Sequence, residues 1–236
     1  MADKLDVCLD AYVPGERFDP ATLPSTVNLP RATSRELALA WRKQWQAGQE
    51  LRVQFLDGDY RLRERVEGHA RKWLDHANLT FSFGNSPGAE IRITFEGNVS
   101  ESLVGTDAMR IPSLRPTMRL GGFTATSDER VLRRTVLHEF GHAIGCVHEQ
   151  ASPVAGIPWD EAEVYEYYRQ WWDDETIFHN VLRRYSTTET KFTNHDPESI
   201  MQYPVPNQLT IGDFEIGWNN DLSELDKSFI ARMYPR

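Results

Sequence analysis

Cysteine is scarce in this chain: Cys8 and Cys146 are the two among 236 residues. Two are too few for a disulfide scaffold, and their wide separation fits neither a zinc-finger pair nor a thioredoxin-type motif. Long apolar runs are missing as well. No stretch reaches the roughly eighteen uncharged apolar residues of a membrane-spanning helix. The opening MADKLDVCLDAYVPGERFDP lacks the apolar run of a secretory signal, which leaves the compartment open. Blocks of Lys or Arg are also absent. With a net charge of -9, the chain has no basic face for neutralising phosphates, which excludes a nucleic-acid binder of that kind. Neither internal repeats nor low-complexity tracts interrupt it. What is present, 40% apolar, 11% aromatic and 26% charged residues, is the make-up of a globular chain with a sizeable core.

Pro14, Pro20, Pro24 and Pro30 are spaced so that no long helix forms across them, because each removes a backbone donor and clashes with the preceding turn. Residues 1–40 are therefore expected to be an extended N-terminal extension, and residues 41–236 a single domain. LRVQFLDG alternates Leu51, Val53 and Phe55 ahead of an Asp-Gly turn, which predicts a strand. RLRERVEGHARKWLDHA repeats Leu62, Val66, Ala70, Trp73, Leu74 and Ala77 at helical spacing. NLTFSF and AEIRITF alternate again, and PTMRLGGF predicts one more strand. In TSDERVLRRTVLHEFGHAIG, Thr126 and Glu129 read as a capping box ahead of a buried stripe of Val131, Leu132, Val136 and Leu137. Pro158 suits the first turn of a later helix through PWDEAEVYEYYRQWWDDETIFHNVLRRY, and Ser223 with Asp226 predicts a capping box at LSELDKSFIARMY. This order of elements is α+β, a mixed sheet with helices packed on it.

Three of the seven histidines fall within HEFGHAIGCVHEQ. His138 and His142 are four apart on the predicted helix, so both imidazoles leave the same face. Gly145 can take the left-handed conformation that ends helices, turning the chain so that His148 approaches the same point from another side. Three neutral imidazoles leave one tetrahedral position of a zinc ion open, as in catalytic rather than structural sites. Glu139, next to the first ligand, is placed to act as general base toward water on that ion. A chance match to HExxH alone would be unremarkable, but Gly and His at two further fixed positions lower its odds by a factor of about 0.002 on this composition.

HExxHxxGxxH, followed here by Glu149, resembles the zinc motif of the astacin branch of the metzincin peptidases. ESIMQYP at 198–204 is similar to that family's Met-turn, with Met201 beneath the metal and Tyr203 as a movable fifth ligand that hydrogen-bonds the developing oxyanion. The resemblance implies a zinc endopeptidase that cleaves peptides or proteins, with one catalytic Zn2+ held by His138, His142 and His148, and with Glu139 and Tyr203 catalytic. It also implies a metzincin-like fold: a mixed twisted sheet, an active-site helix and a second helix, and a mostly irregular C-terminal subdomain ending in a helix. Members are mostly secreted, and they pair a mature N-terminal amine with the Glu after the third His. The chain departs from the pattern in lacking the usual four cysteines, in Gln202 where His is common, and in Cys146 where an aromatic is usual.

Several residues keep competing readings. Cys8 and Cys146 are inert buried thiols, the default, or a disulfide, or Cys8 is a latch whose thiolate takes the open zinc position. Tyr165, Tyr167, Tyr168, Trp171 and Trp172 are read as core rather than as substrate subsites. PTMRLGGF is either an inner strand or a sheet edge along which substrate adds as a strand. His69, His76, His179 and His195 are assigned nothing. A monomer is expected, with a self-inhibited zymogen, a matrixin-like enzyme and a silent zinc-binding module as the other readings. Retention of Glu139 disfavours the last, since a silent module has no need of a general base.

Overall fold

In the computed structural model of the chain, which describes residues 8–11, 43–184 and 194–236, the alternating segments form one six-stranded sheet. Its strands are β1 (Leu9–Ala11), β2 (Glu50–Phe55), β3 (Thr80–Phe83), β4 (Ile91–Thr94), β5 (Ser100–Leu103) and β6 (Met118–Leu120), arranged as β1-β5-β6-β4-β2-β3. β2 runs parallel to β3 and β4, and β4 parallel to β6, whereas β5 is antiparallel to β6 and β1 lies parallel to β5. PTMRLGGF is thus an inner strand, and the edge reading is corrected. SESL at β5 was not predicted, because its one large apolar side chain, Leu103, makes no alternation. Pairing on both sides makes it a strand. Apart from Cys8–Ala11, the N-terminal extension lies outside the described residues up to residue 42.

α1 (Tyr60–Ala70) buries Leu62, Val66 and Ala70, and a 3₁₀ turn at Arg71–Asp75 buries Trp73. α2 (Glu129–Ala143) packs on β5, β6 and α1. Its cap is Asp128 rather than Thr126: the Asp128 carboxylate accepts from the N–H groups of Arg130 and Val131, both at 3.0 Å. A carboxylate that meets two orphan donors leaves no role for the hydroxyl two residues earlier. Leu132, Val136, Leu137 and Phe140 are fully buried on the inner face of α2, each worth about 1.5–3 kcal/mol relative to exposure.

At its far end α2 closes with Gly145 at φ 103°. Cys146 N–H donates to Gly141 O at 2.9 Å and Gly145 N–H to His142 O at 2.8 Å, the paired bonds of a left-handed C-terminal cap. Two remaining helix-end carbonyls are met by distant aromatics. Trp45 Nε1 donates to Ala143 O at 2.8 Å, and Tyr234 Oη to Ile144 O at 2.7 Å.

Beyond the site helix the expected single helix from Pro158 is broken in two. Asp160 caps α3 (Glu161–Tyr168) and Asp173 caps α4 (Asp174–Ile177), which runs into a π-helical turn at Phe178–Leu182. Pro158 lies ahead of both, beside a bridge between Trp159 and Thr210. α5 (Glu224–Met233) opens with the predicted Ser223–Asp226 capping box. Tyr168 is fully buried and stacks on Trp172 at 4.9 Å. Its cluster includes Val164, Ile177, Val181, Leu209, Cys8 and Tyr203, with Tyr165, Tyr167 and Trp172 partly buried against it. These aromatics form core that borders the histidines, whereas Trp171 lies outside that cluster, against Tyr167.

Candidate metal centre

His138 and His142 leave one face of α2, and the Gly145 turn brings His148 to meet them, as the spacing predicts. His142 Nε2 and His148 Nε2 are 3.1 Å apart. Carbonyl oxygens only accept, so His138 Nδ1–H donates to Ile200 O at 2.7 Å and His142 Nδ1–H to Cys146 O at 2.9 Å. In the neutral rings this leaves the Nε2 lone pairs of His138 and His142 aimed inward. Imidazole nitrogens gathered at one buried point are donors that suit a borderline-soft ion such as zinc.

A fourth donor completes the set. Cys8 Sγ lies 3.0 Å from His138 Nε2, 3.1 Å from His148 Nε2 and 3.6 Å from His142 Nε2. These four ligand atoms all fall within 4.8 Å of one another, and among the described residues no other group of His, Cys, Asp or Glu is so arranged. Among the described residues Cys8 and Cys146 form no disulfide, which corrects the disulfide reading. Cys146 is fully buried, which pushes its thiol well above its ordinary pKa. Cys8 arrives on β1, which occupies the β5 edge in the register Leu9–Glu101 to Ala11–Leu103. The arm therefore fills both the sheet edge and the approach to the histidines.

Glu139 is fully buried on α2 and lines one cleft with His138, Arg134, Tyr203 and Trp218. Tyr203 Oη donates to the Cys8 carbonyl and lies 3.5 Å from its Sγ. The Tyr203 ring is 4.3 Å from that of His148, centroid to centroid. Beneath the centre Met201 is fully buried against Gly141. Ser199 Oγ and Ile200 N–H donate to Asp226 at 2.7 and 2.8 Å, which fixes the turn that carries Met201. Glu149 is fully buried, and its Oε1 accepts from Asp196 N–H at 2.9 Å. Burial, reinforced by Asp226 and Asp196, pushes its carboxyl up to about 8.

Sequence reading missed several residues of the site. Gly141 was legible in principle, since a glycine inside an amphipathic helix signals close approach. Arg134, whose guanidinium carbon sits 3.7 Å over the Trp218 ring, carried no signal, because the two come together only through the fold. Of the histidines assigned nothing, His69 pairs with Glu129 at 2.7 Å and His195 with Gln202 at 2.9 Å.

No protein-family model matches the chain, and a search of curated proteins finds no match. Solved structures do. One structure of myroilysin superposes with a TM-score of 0.82 at 39% identity, covering 84% of this chain and 98% of that one. A crystal structure of myroilysin gives 0.70 at 35%, covering 99% of this chain and 93% of that one. High choriolytic enzyme 1, a hatching enzyme zinc-protease from the medaka fish Oryzias latipes, gives 0.59 at 15%, covering 85% and 98%; that likeness bears on the fold alone. Myroilysin is an astacin-family metalloprotease, and identity of this order over nearly its whole length means that the present chain, a metalloendopeptidase, belongs to the astacin family.

Proposed function

We propose that His138, His142 and His148 hold a zinc ion at which Glu139 acts as general base and Tyr203 as oxyanion donor in peptide-bond hydrolysis, and that Cys8 closes this site. The observation that carries the reading is the convergence of three histidine Nε2 atoms and one sulfur on a single buried point beside Glu139.

Zinc, when bound, supplies a Lewis acid that polarises a carbonyl and makes water more acidic. The chain supplies the rest. Glu139, one residue along α2 from His138, takes a proton from the attacking water and passes it to the leaving amine. Tyr203 Oη, which here donates to the Cys8 carbonyl, donates to the scissile carbonyl oxygen once the arm has left. The contact with Cys8 is thus a rehearsal of the one with substrate, and a donor already oriented needs little rearrangement as charge develops. Extended substrate takes the β5 edge that β1 now fills, pairing its backbone as an added strand.

Hydrolysis of quenched-fluorescent peptides tests this, with zinc content measured on the same samples. The full chain should turn over slowly, and Cys8→Ala or removal of residues 1–40 should raise the rate about ten-fold or more. Glu139→Gln in the opened enzyme should lose about 10³-fold with its zinc retained. Chelation should abolish turnover, and zinc should restore it. Opened, zinc-loaded protein without turnover would be a silent binding module, and an unchanged rate on opening would sink the latch.

A further inference from the structure

Tyr203 lies in irregular chain, where backbone groups have no helix or ladder to pair with and must find other partners. Side-chain amides hold it on both sides. Its N–H donates to Gln150 Oε1 at 3.2 Å, and its carbonyl accepts from Gln202 Nε2 at 2.8 Å. Each amide is anchored in turn. Gln150, 1% exposed, donates through Nε2 to Asn180 O at 3.2 Å in the π-helical turn. Gln202, 4% exposed, accepts at Oε1 from His195 Nε2 at 2.9 Å.

Pairing the buried Tyr203 N–H and carbonyl accounts for one bond of each amide, since either group left unpaired would cost about 1–3 kcal/mol. It does not require that each amide be anchored a second time, at Asn180 and at His195. What the amides add is direction, and they apply it to one residue. Gln150 is also two positions past His148, while Glu149 N–H donates to Met201 O at 3.0 Å. The loop carrying the third histidine and the turn carrying Tyr203 are therefore tied side by side.

We propose that Gln150 and Gln202, the latter oriented by His195, form an amide clamp that sets the position of the Tyr203 phenol, and that all three are positioning residues for peptide hydrolysis. The proposal rests on the role of Tyr203 given above and deepens it. A reacting group misplaced by about 1 Å can cost about 100-fold in rate, so a modest loosening of the clamp is measurable.

The test uses the full chain opened by Cys8→Ala, with Gln150→Leu, Gln202→Met and His195→Ala each made alone and together with Tyr203→Phe. His195 is only half-buried, so its variant keeps the test valid if either glutamine variant fails to fold. Tyr203→Phe should lower kcat about 100-fold, the glutamine variants about ten-fold and His195→Ala about three-fold, with KM and zinc content unchanged. Combined with Tyr203→Phe, none should cost anything further. A second readout needs no turnover. In the chain that retains Cys8, its labelling by a thiol reagent, located by peptide mass spectrometry, should quicken in Gln150→Leu and Tyr203→Phe to the same rate, with no further gain in the double variant. Losses that repeat undiminished in the Tyr203→Phe background would overturn the clamp while leaving Tyr203 in place. If Tyr203→Phe alone leaves kcat unchanged, the assigned role of Tyr203 fails and the clamp fails with it.

Discussion

Glycine inside a helix costs about 1 kcal/mol relative to alanine, yet Gly141 stands between two of the histidines on α2. A Cβ built there would lie 2.3 Å from Met201 Sδ and 3.2 Å from Trp73 Cζ2. Gly141→Ala therefore gains helix propensity but overpacks, at a cost of about 1–3 kcal/mol. Overpacking wins, because Met201 is wedged between the helix and the core. The zinc-loaded variant should melt about 2–6 °C lower and release zinc faster; a raised melting temperature would show that Met201 moves aside freely. Asp226 acts through charge. It accepts from Ser199 Oγ, Ile200 N–H and Ser223 N–H, and burial pushes its carboxyl from 3.8 up to about 6. Between those values the folded chain holds a proton that the unfolded chain has lost, so this group makes stability fall as pH rises through the window. Asp226→Asn keeps an acceptor for the two backbone donors and removes the titration. Urea unfolding from pH 4 to 6 should show a flatter dependence than the parent, and an equally steep one would rule out Asp226 as its source.

Legibility at the scale of elements followed local pattern. α2 could be read because its buried stripe, its ligands and its stop signal all lie within one short window, and the Ser223–Asp226 cap of α5 was readable for the same reason. β5 could not be read, since SESL becomes a strand only through neighbours far off in sequence, β6 on one side and β1 on the other. The start of α2 was misplaced from Asp128 to Thr126, because both residues are good caps and only the actual path of the chain chooses between them. Likewise the apolar spacing through residues 158–185 hid a later start, capped by Asp160, and a break before the new cap at Asp173. β1 itself makes a testable unit. A synthetic peptide of residues 4–13 should inhibit the enzyme lacking residues 1–40, and its Cys8→Ser version should be about ten-fold weaker or worse, since a hydroxyl is a poor zinc ligand beside a thiolate. Equal inhibition by the two would mean that strand pairing alone holds the arm.

Over the whole molecule, the two flanks of the domain close on the end of α2. Tyr234 Oη donates to Ile144 O at 2.7 Å and accepts from Trp45 N–H at 3.2 Å, while Asn78 N–H donates to Tyr234 O at 2.8 Å. Tyr234→Phe leaves a buried carbonyl and a buried N–H without this partner, and should cost about 1–3 kcal/mol in urea unfolding; no loss would mean that water replaces the hydroxyl. Ile144 and Tyr234 are separated by 90 positions, which at about 5–20 residues per second is several seconds of synthesis. On the ribosome, the helix that carries two of the histidines emerges long before the residue that pins its end. That last carbonyl of the site helix is thus pinned only after residue 234 has been made.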